Sequence, residues 1–281
     1  MNPPTPWQSL LQELRGQDFD RYATCLFAPP EQRADLAALF LFNATLAQIR
    51  DQVTEPLLGN IRLQWWRDEL ARLNKGNKTP AQPVLEIIGS WRLRGLDLTP
   101  LLTMIDARAT DLDNPPFPTL SDYIAYRRNT SRPLGVMAAK LIGQERHAEL
   151  YADSMELYAS IGLLRAVPHW VKRRQQPLPP EWLRHYIIDE TNLMELRSSP
   201  GLTALTHSEA KQTLTACARL QQQWCTMLKP ERQAGLCLWL HLAIARQEAK
   251  RLLQSADPWR QALPTRWLRL IHLAWHALRG E

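Results

Sequence analysis

Twenty-one prolines and eleven glycines divide this 281-residue chain into pieces of helix length, and within the pieces apolar residues return every three or four positions. Over 31–53, Leu39, Phe42, Leu46, Ile49 and Val53 alternate spacings of three and four, which lines one face of a 3.6-residue helix. The pieces are rich in Leu, Ala, Arg, Gln and Glu, residues that lose little side-chain freedom in a helix. An all-α fold of about ten helices is therefore expected. The expected helices after the first are 60–74, 84–94, 100–111, 120–128, 134–143, 148–167, 181–186, 208–227, 230–254 and 264–278. Pro56, Gly59, Gly76, Pro80, Pro83, Pro168 and the Pro115-Pro116-Phe117-Pro118 run act as breaks. Thr119, Ser121 and Asp122 are available as caps. No linker is long enough to divide the chain, so residues 1–281 are expected to form one domain.

Composition removes several function classes. No Gly-x-Gly occurs, so the phosphate-cradling loops of nucleotide-binding α/β folds are missing. Cys25, Cys217, Cys225 and Cys237 are far apart with no Cys-x-x-Cys pair, which suggests reduced structural thiols rather than a zinc or redox motif. The start of the chain lacks a secretion signal, and no apolar run reaches the length of a membrane span. The expected location is cytoplasmic, at most peripheral to a membrane. A net charge of +6 suits an anionic partner such as phospholipid or diphosphate. Tyr126-Arg127-Arg128 and Lys172-Arg173-Arg174 lack a nucleic-acid motif and are expected to be solvated surface, so no nucleic acid is expected as a partner.

Three blocks in order carry a resemblance: Phe19-Asp20-Arg21-Tyr22, then Ala38-Leu39-Phe40-Leu41-Phe42-Asn43, then Arg62-Leu63-Gln64-Trp65-Trp66-Arg67-Asp68-Glu69-Leu70. The match continues through 119–139, through Leu163-Leu164-Arg165 and weakly to the C-terminus. Together these resemble the squalene/phytoene synthase family. The resemblance implies an isoprenoid-synthase-like helical bundle around a central cavity. Enzymes of that family join two prenyl diphosphates in isoprenoid biosynthesis and hold magnesium with two Asp-x-x-x-Asp pairs on facing helices. Carboxylates at i and i+4 share a helix face, so each pair can grip hard cations against the diphosphate.

Aligned on the family, the first acidic face reads Phe40, Ala44, Ala47 and Asp51, so only Asp51 keeps a carboxylate. The second set, Gln, Asn and two Asp in the family, maps to Ala159, Gly162, Ala166 and Trp170. An opposite charge near 4 Å is worth about 4 kcal/mol at an effective dielectric of 20, so one aspartate does not replace a magnesium cluster. The resemblance thus implies a pseudoenzyme with no metal and no cofactor. Phe42 to Asp51, Glu55-Pro56, Gly59 and Leu164-Arg165-Ala166-Val167-Pro168 look closer to a divergent bacterial and mitochondrial branch, the complex I assembly factor relatives of phytoene synthase. That likeness implies a protein partner in respiratory-complex assembly.

Alternatives remain open at this point. Asp51, Arg62, Arg67 and Arg165 are the candidate ligand or anion site, and convergence of the three guanidiniums would let a prenyl transferase act without magnesium. An open apolar tunnel lined by Phe40, Ala44, Ala47, Ala159, Gly162, Ala166 and Trp170 would suit an isoprenoid, lipid or quinone ligand, to which Trp65 and Trp66 could contribute. His272 and His276 have metal-ligand spacing but no third ligand nearby in sequence. Trp267, Leu268, Ile271, Trp275 and Leu278 lie along one side of the last helix with basic residues opposite. This pattern fits an interfacial helix on an anionic membrane surface and equally a last helix closing the bundle.

Overall fold

The computed structural model describes residues 6–77, 82–255, 257, 259 and 265–279. They carry thirteen α-helices and no strand: α1 Pro6–Gln17, α2 Phe19–Cys25, α3 Arg33–Gln48, α4 Pro56–Asn74, α5 Pro83–Leu93, α6 Thr99–Arg108, α7 Leu120–Leu141, α8 Ala148–Lys172, α9 Pro180–His185, α10 Glu190–Met194, α11 Pro200–Thr226, α12 Lys229–Leu253 and α13 Arg266–Arg279. The all-α expectation holds. The break expected at Pro80 and the start expected for the last helix at Pro264 lie outside the described residues.

Several boundaries move for identifiable reasons. Pro56, expected as a break, is the opening residue of α4, where a missing N–H costs nothing. Segments 120–128 and 134–143 are one helix, α7, with Pro133 inside it. Around Pro133, the hydroxyls of Thr130 and Ser131 donate to the carbonyls of Tyr126 and Arg127, at 2.8 Å and 2.5 Å, so the helix carries side-chain hydrogen bonds where the proline removes a backbone one. Pro168 likewise lies within α8 rather than ending it. Packing of the buried faces of α7 and α8 outweighs the local cost. The start of α7 follows the sequence closely: Thr119 and Asp122 form a reciprocal capping box.

Helices α3, α7 and α8 form the centre. Ten residues of α3 are buried, from Leu36 to Leu46, so this helix is enclosed nearly all round rather than on one stripe. Helices α1, α5 and α6 cover it on one side. The main apolar core joins these to α4, α7 and the middle of α11 and α12, where Trp224 and Trp239 stack with ring centroids 4.4 Å apart. A second core gathers α8, α9, α10, α11 and Phe117, whose ring contacts Tyr123, Tyr126 and Trp170. Helix α4 buries Leu63, Trp66, Leu70 and Leu73, and Trp66 meets Phe42 edge-on at 5.2 Å. Ile61 and Trp65 of the same helix are exposed, because the buried stripe runs through Gly59, Leu63, Trp66, Leu70 and Leu73. No described helix is long and apolar enough to cross a membrane.

Candidate functional site: a cleft of compensated charges

A cleft of about 350 Å³ opens between α3, α7 and α8, with α2 at its floor. Ala44, Ala47 and Asp51 contribute from the α3 side, and Ala159, Gly162 and Leu163 face them from α8. An adjoining cavity of about 200 Å³ shares Ala47, Asp51, Arg108, Tyr126 and Leu163 with the cleft and adds Ala166, His169, Trp170 and Arg173. Six of the seven residues expected to line a cavity are therefore brought together. Phe40 is the exception: it is fully buried beneath, 5.5 Å ring to ring from His241, with the Arg21 guanidinium 5.8 Å from its ring centre.

Each carboxylate in this region has an arginine partner. Asp18 accepts from Arg21 at 2.5 Å and also caps α2 by accepting the Arg21 backbone N–H. Asp111 lies 3.3 Å from Arg108, which also donates to the Tyr126 hydroxyl at 2.6 Å. Asp51 is bound by Arg173 at 2.6 Å and lies 3.2 Å from His169. Arg173 further donates to the Arg50 carbonyl. Sequence spacing placed Asp51 beside Arg50; folding instead brings α8 onto it, so Asp51 meets a cation from a distant helix.

Burial sets the protonation of the surrounding groups. The Asp111 carboxyl is raised by burial, with Arg108 opposing. Burial is the largest influence and would lower Arg21, but Asp18 and Tyr158 together more than offset it, so the guanidinium stays charged. Tyr126 and Tyr158 are pushed well above the usual phenol range, chiefly by burial, and remain neutral hydrogen-bonding groups. His241, beneath the floor, is driven down to about 3 by burial and then by Arg21, so it is a neutral core side chain. It contacts the Thr24 hydroxyl at 3.4 Å and the Leu238 carbonyl at 3.1 Å.

Arg62, Arg67 and Arg165 do not share a partner. Arg62 donates to Gln52, Arg67 to Asp106, and Arg165 lies 3.8 Å from the buried Glu248. Arg62 and Arg67 turn outward because α4 uses Leu63, Trp66 and Leu70 for the core. None of the three lines the cleft. The arginines that do are Arg21, Arg108, Arg50 and Arg173. Arg21 sits in the Phe19-Asp20-Arg21-Tyr22 block, so its position was marked by sequence although its pairing was not. Arg173 and Tyr126 depart from the expected solvated surface: Tyr126 is buried, Arg173 holds Asp51, and Arg127 pairs with Glu156 at 3.1 Å. Among the described residues, no group of three His, Cys, Asp or Glu is placed to hold a metal ion. His272 and His276 meet ring to ring, with centroids 4.5 Å apart.

Residues 14–275 match the squalene/phytoene synthase family, and the chain belongs to it. Its fold is similar to that of a dehydrosqualene synthase crystallised in complex with ligand, with a TM-score of 0.79, 17% identity, and coverage of 98% of this chain and 97% of the other. In sequence it is similar to NADH dehydrogenase (ubiquinone) complex I, assembly factor 6, from Bos taurus, at 31% identity over 60% of this chain and 51% of that protein. It is also similar to the protein of the same name from Rattus norvegicus, at 27% identity over 72% of this chain and 61% of that protein. The chain thus spans between half and two-thirds of the length of these curated relatives.

Proposed function

We propose that this protein is a non-catalytic member of the squalene/phytoene synthase family that acts as an assembly factor for respiratory complex I, on the cytoplasmic side and peripheral to the inner membrane. Its whole length, 1–281, works as one domain in this reading. The observation that carries the proposal is the chemistry of the cleft. Magnesium-dependent diphosphate departure needs free carboxylates on facing helices. Here Ala47, Ala159, Gly162, Ala166 and Trp170 occupy the aligned positions, and Asp18, Asp51 and Asp111 are each paired with an arginine. A cation entering the cleft would have to displace those guanidiniums. The similarity to proteins named as complex I assembly factors supports the choice of partner.

The cleft would then serve as a binding surface whose paired charges also stabilise the fold, with an isoprenoid or lipid as its small-molecule ligand. The test is genetic. Removing the gene from the cells that make this protein should lower the amount of assembled complex I on native gels, and restoring the gene should recover it. Unchanged complex I in the deletion strain would sink the assembly reading.

A further inference from the structure

The last helix leaves its largest apolar side chains outside the bundle. An ordinary surface helix turns its apolar stripe to the core and its charges to water. In α13, the residues turned inward are Arg269, Leu273 and His276. Arg269, only 4% exposed, bridges Asp20 on α2 at 2.9 Å and Glu248 on α12 at 2.8 Å, and donates to Gln247 at 3.0 Å. The outward side is apolar: Trp267 is 76% exposed, Leu268 58%, Ile271 62%, Trp275 44% and Leu278 89%. These are the two readings left open by the sequence, combined in one helix: Arg269 and His276 close the bundle together with Leu273, which packs with Leu270 against Ala23, Leu240 and Ile244, while the larger apolar side chains stay outside.

Charge identifies the occupant of the outward face. Arg266–Arg279 contains three arginines, two histidines and no acidic residue. Arg266 and Arg279 stand exposed at its two ends, and Arg279 lies 3.8 Å above the Trp275 ring. Lys250, exposed on the neighbouring α12, adds a further cation close enough to act on His272. A tryptophan near each end, an apolar strip between them and cations at the margin match the layers of an anionic bilayer surface: acyl boundary, interface and phosphate. The other exposed apolar strip, Leu57, Leu58, Ile61 and Trp65 on α4, has mixed charge around it: Arg67 is held by Asp106, Arg62 donates to Gln52, and Glu55 and Asp68 lie beside it in sequence.

We propose that α13 is an in-plane docking helix that binds the surface of an anionic phospholipid bilayer through Trp267, Leu268, Ile271, Trp275 and Leu278. This deepens the reading of the protein as peripheral to a membrane, but its test needs no respiratory complex. Purified full-length protein is floated with vesicles of phosphatidylcholine alone and with vesicles in which about a third of the lipid is phosphatidylglycerol. Wild type is expected to float with the anionic vesicles and little with the neutral ones, and added salt should weaken binding. The combined variant Trp267→Ser, Ile271→Ser and Leu278→Ser changes only exposed side chains and should keep its melting temperature, while its vesicle affinity falls by about tenfold or more. Arg266→Gln with Arg279→Gln should reduce binding to anionic vesicles and flatten its salt dependence.

Equal flotation of wild type and the triple serine variant would overturn the proposal, as would no flotation with either vesicle. If the protein ignores vesicles but forms a dimer, or holds a protein partner, that the serine variant loses, the face belongs to a protein interface and the proposal is likewise overturned. Anionic flotation together with normal complex I in the deletion strain would leave the docking helix standing and remove only the assembly reading.

Discussion

Replacing Arg269 by alanine is expected to remove about 3–5 kcal/mol of folding stability and to lower the melting temperature by roughly 10 °C. Arg269 is buried between Asp20 and Glu248, at 2.9 Å and 2.8 Å. Glu248 would retain only the more distant Arg165 and Arg251, at 3.8 Å and 3.7 Å, and Asp20 the Tyr158 hydroxyl at 3.2 Å. A buried carboxylate stripped of its cation is costly because water cannot replace the partner. The deficit also has a predicted pH dependence. Burial already raises Asp20, and Arg269 is the largest influence opposing that rise. Without Arg269 the folded-state value rises further, so the folded protein binds more protons than the unfolded chain in the window above the ordinary aspartate range. Stability of the variant should therefore fall as pH rises through that window, and its deficit against wild type should shrink on acidification. Thermal unfolding of the two proteins across neutral and mildly acidic pH measures both effects. A melting temperature unchanged by Arg269→Ala would refute the ionic attachment of α13.

Gly135→Val should cost at least about 3 kcal/mol and leave little folded protein at growth temperature. Gly135 lies where α7 meets α8, and even a Cβ there would come within 2.6 Å of the Ala152 Cα and the Tyr151 carbonyl oxygen. Both are backbone atoms, so no side-chain rotation relieves the overlap. The helices would have to separate, and α7 and α8 are the walls that bring Tyr126, Thr130 and Ser131 together with Ala159 and Gly162 in the cleft. Gly162 supplies the contrast. A Cβ at Gly162 meets nothing within 4 Å, so Gly162→Ala should leave the melting temperature close to that of wild type. Chemical denaturation of the three proteins side by side gives the ranking. A Gly135→Val protein as stable as Gly162→Ala would contradict the close approach of α7 and α8.

Much of the architecture was legible because helix signals are local. The helix through Leu39, Phe42 and Leu46, the Thr119 cap and the helix near 84–94 are each written in local sequence, although the first ends at Gln48, short of the expected 53, and is buried nearly all round. Pro133 and Pro168 misled for the same reason: a local rule marks proline as a stop, whereas each helix continues because its buried face packs on another. Helix α2 was missed because it is short and depends on Asp18 turning back to cap it, and α1 was missed although it is no shorter than α5 or α6. The cleft was legible through the family resemblance alone, which placed Ala44, Ala47, Ala159 and Gly162 on facing helices. The charge pairing within it was not. Asp51 and Arg173 are 122 positions apart in sequence, and only the packing of α8 beside the end of α3 brings them to 2.6 Å. That α13 would seat Arg269 and Leu273 inward and leave its tryptophans outside was equally hidden, since periodicity reveals two faces but not which one the bundle accepts.

In the proposed reading, the paired charges would also let the cleft stay folded without a metal. Two facing acidic motifs without magnesium would repel each other across the gap. Ala47, Ala159 and Gly162 carry no such charge, and Asp18, Asp51 and Asp111 each have a guanidinium within reach. That pairing would suit a scaffold rather than a catalyst.

The most direct test of this account is titration calorimetry of the purified protein with farnesyl diphosphate, with and without magnesium. The account predicts no dependence on magnesium: any heat of binding should be the same in both conditions, and no inorganic diphosphate should appear in the cell. Tight binding that requires magnesium, accompanied by release of diphosphate, would contradict it and establish the cleft as an active site.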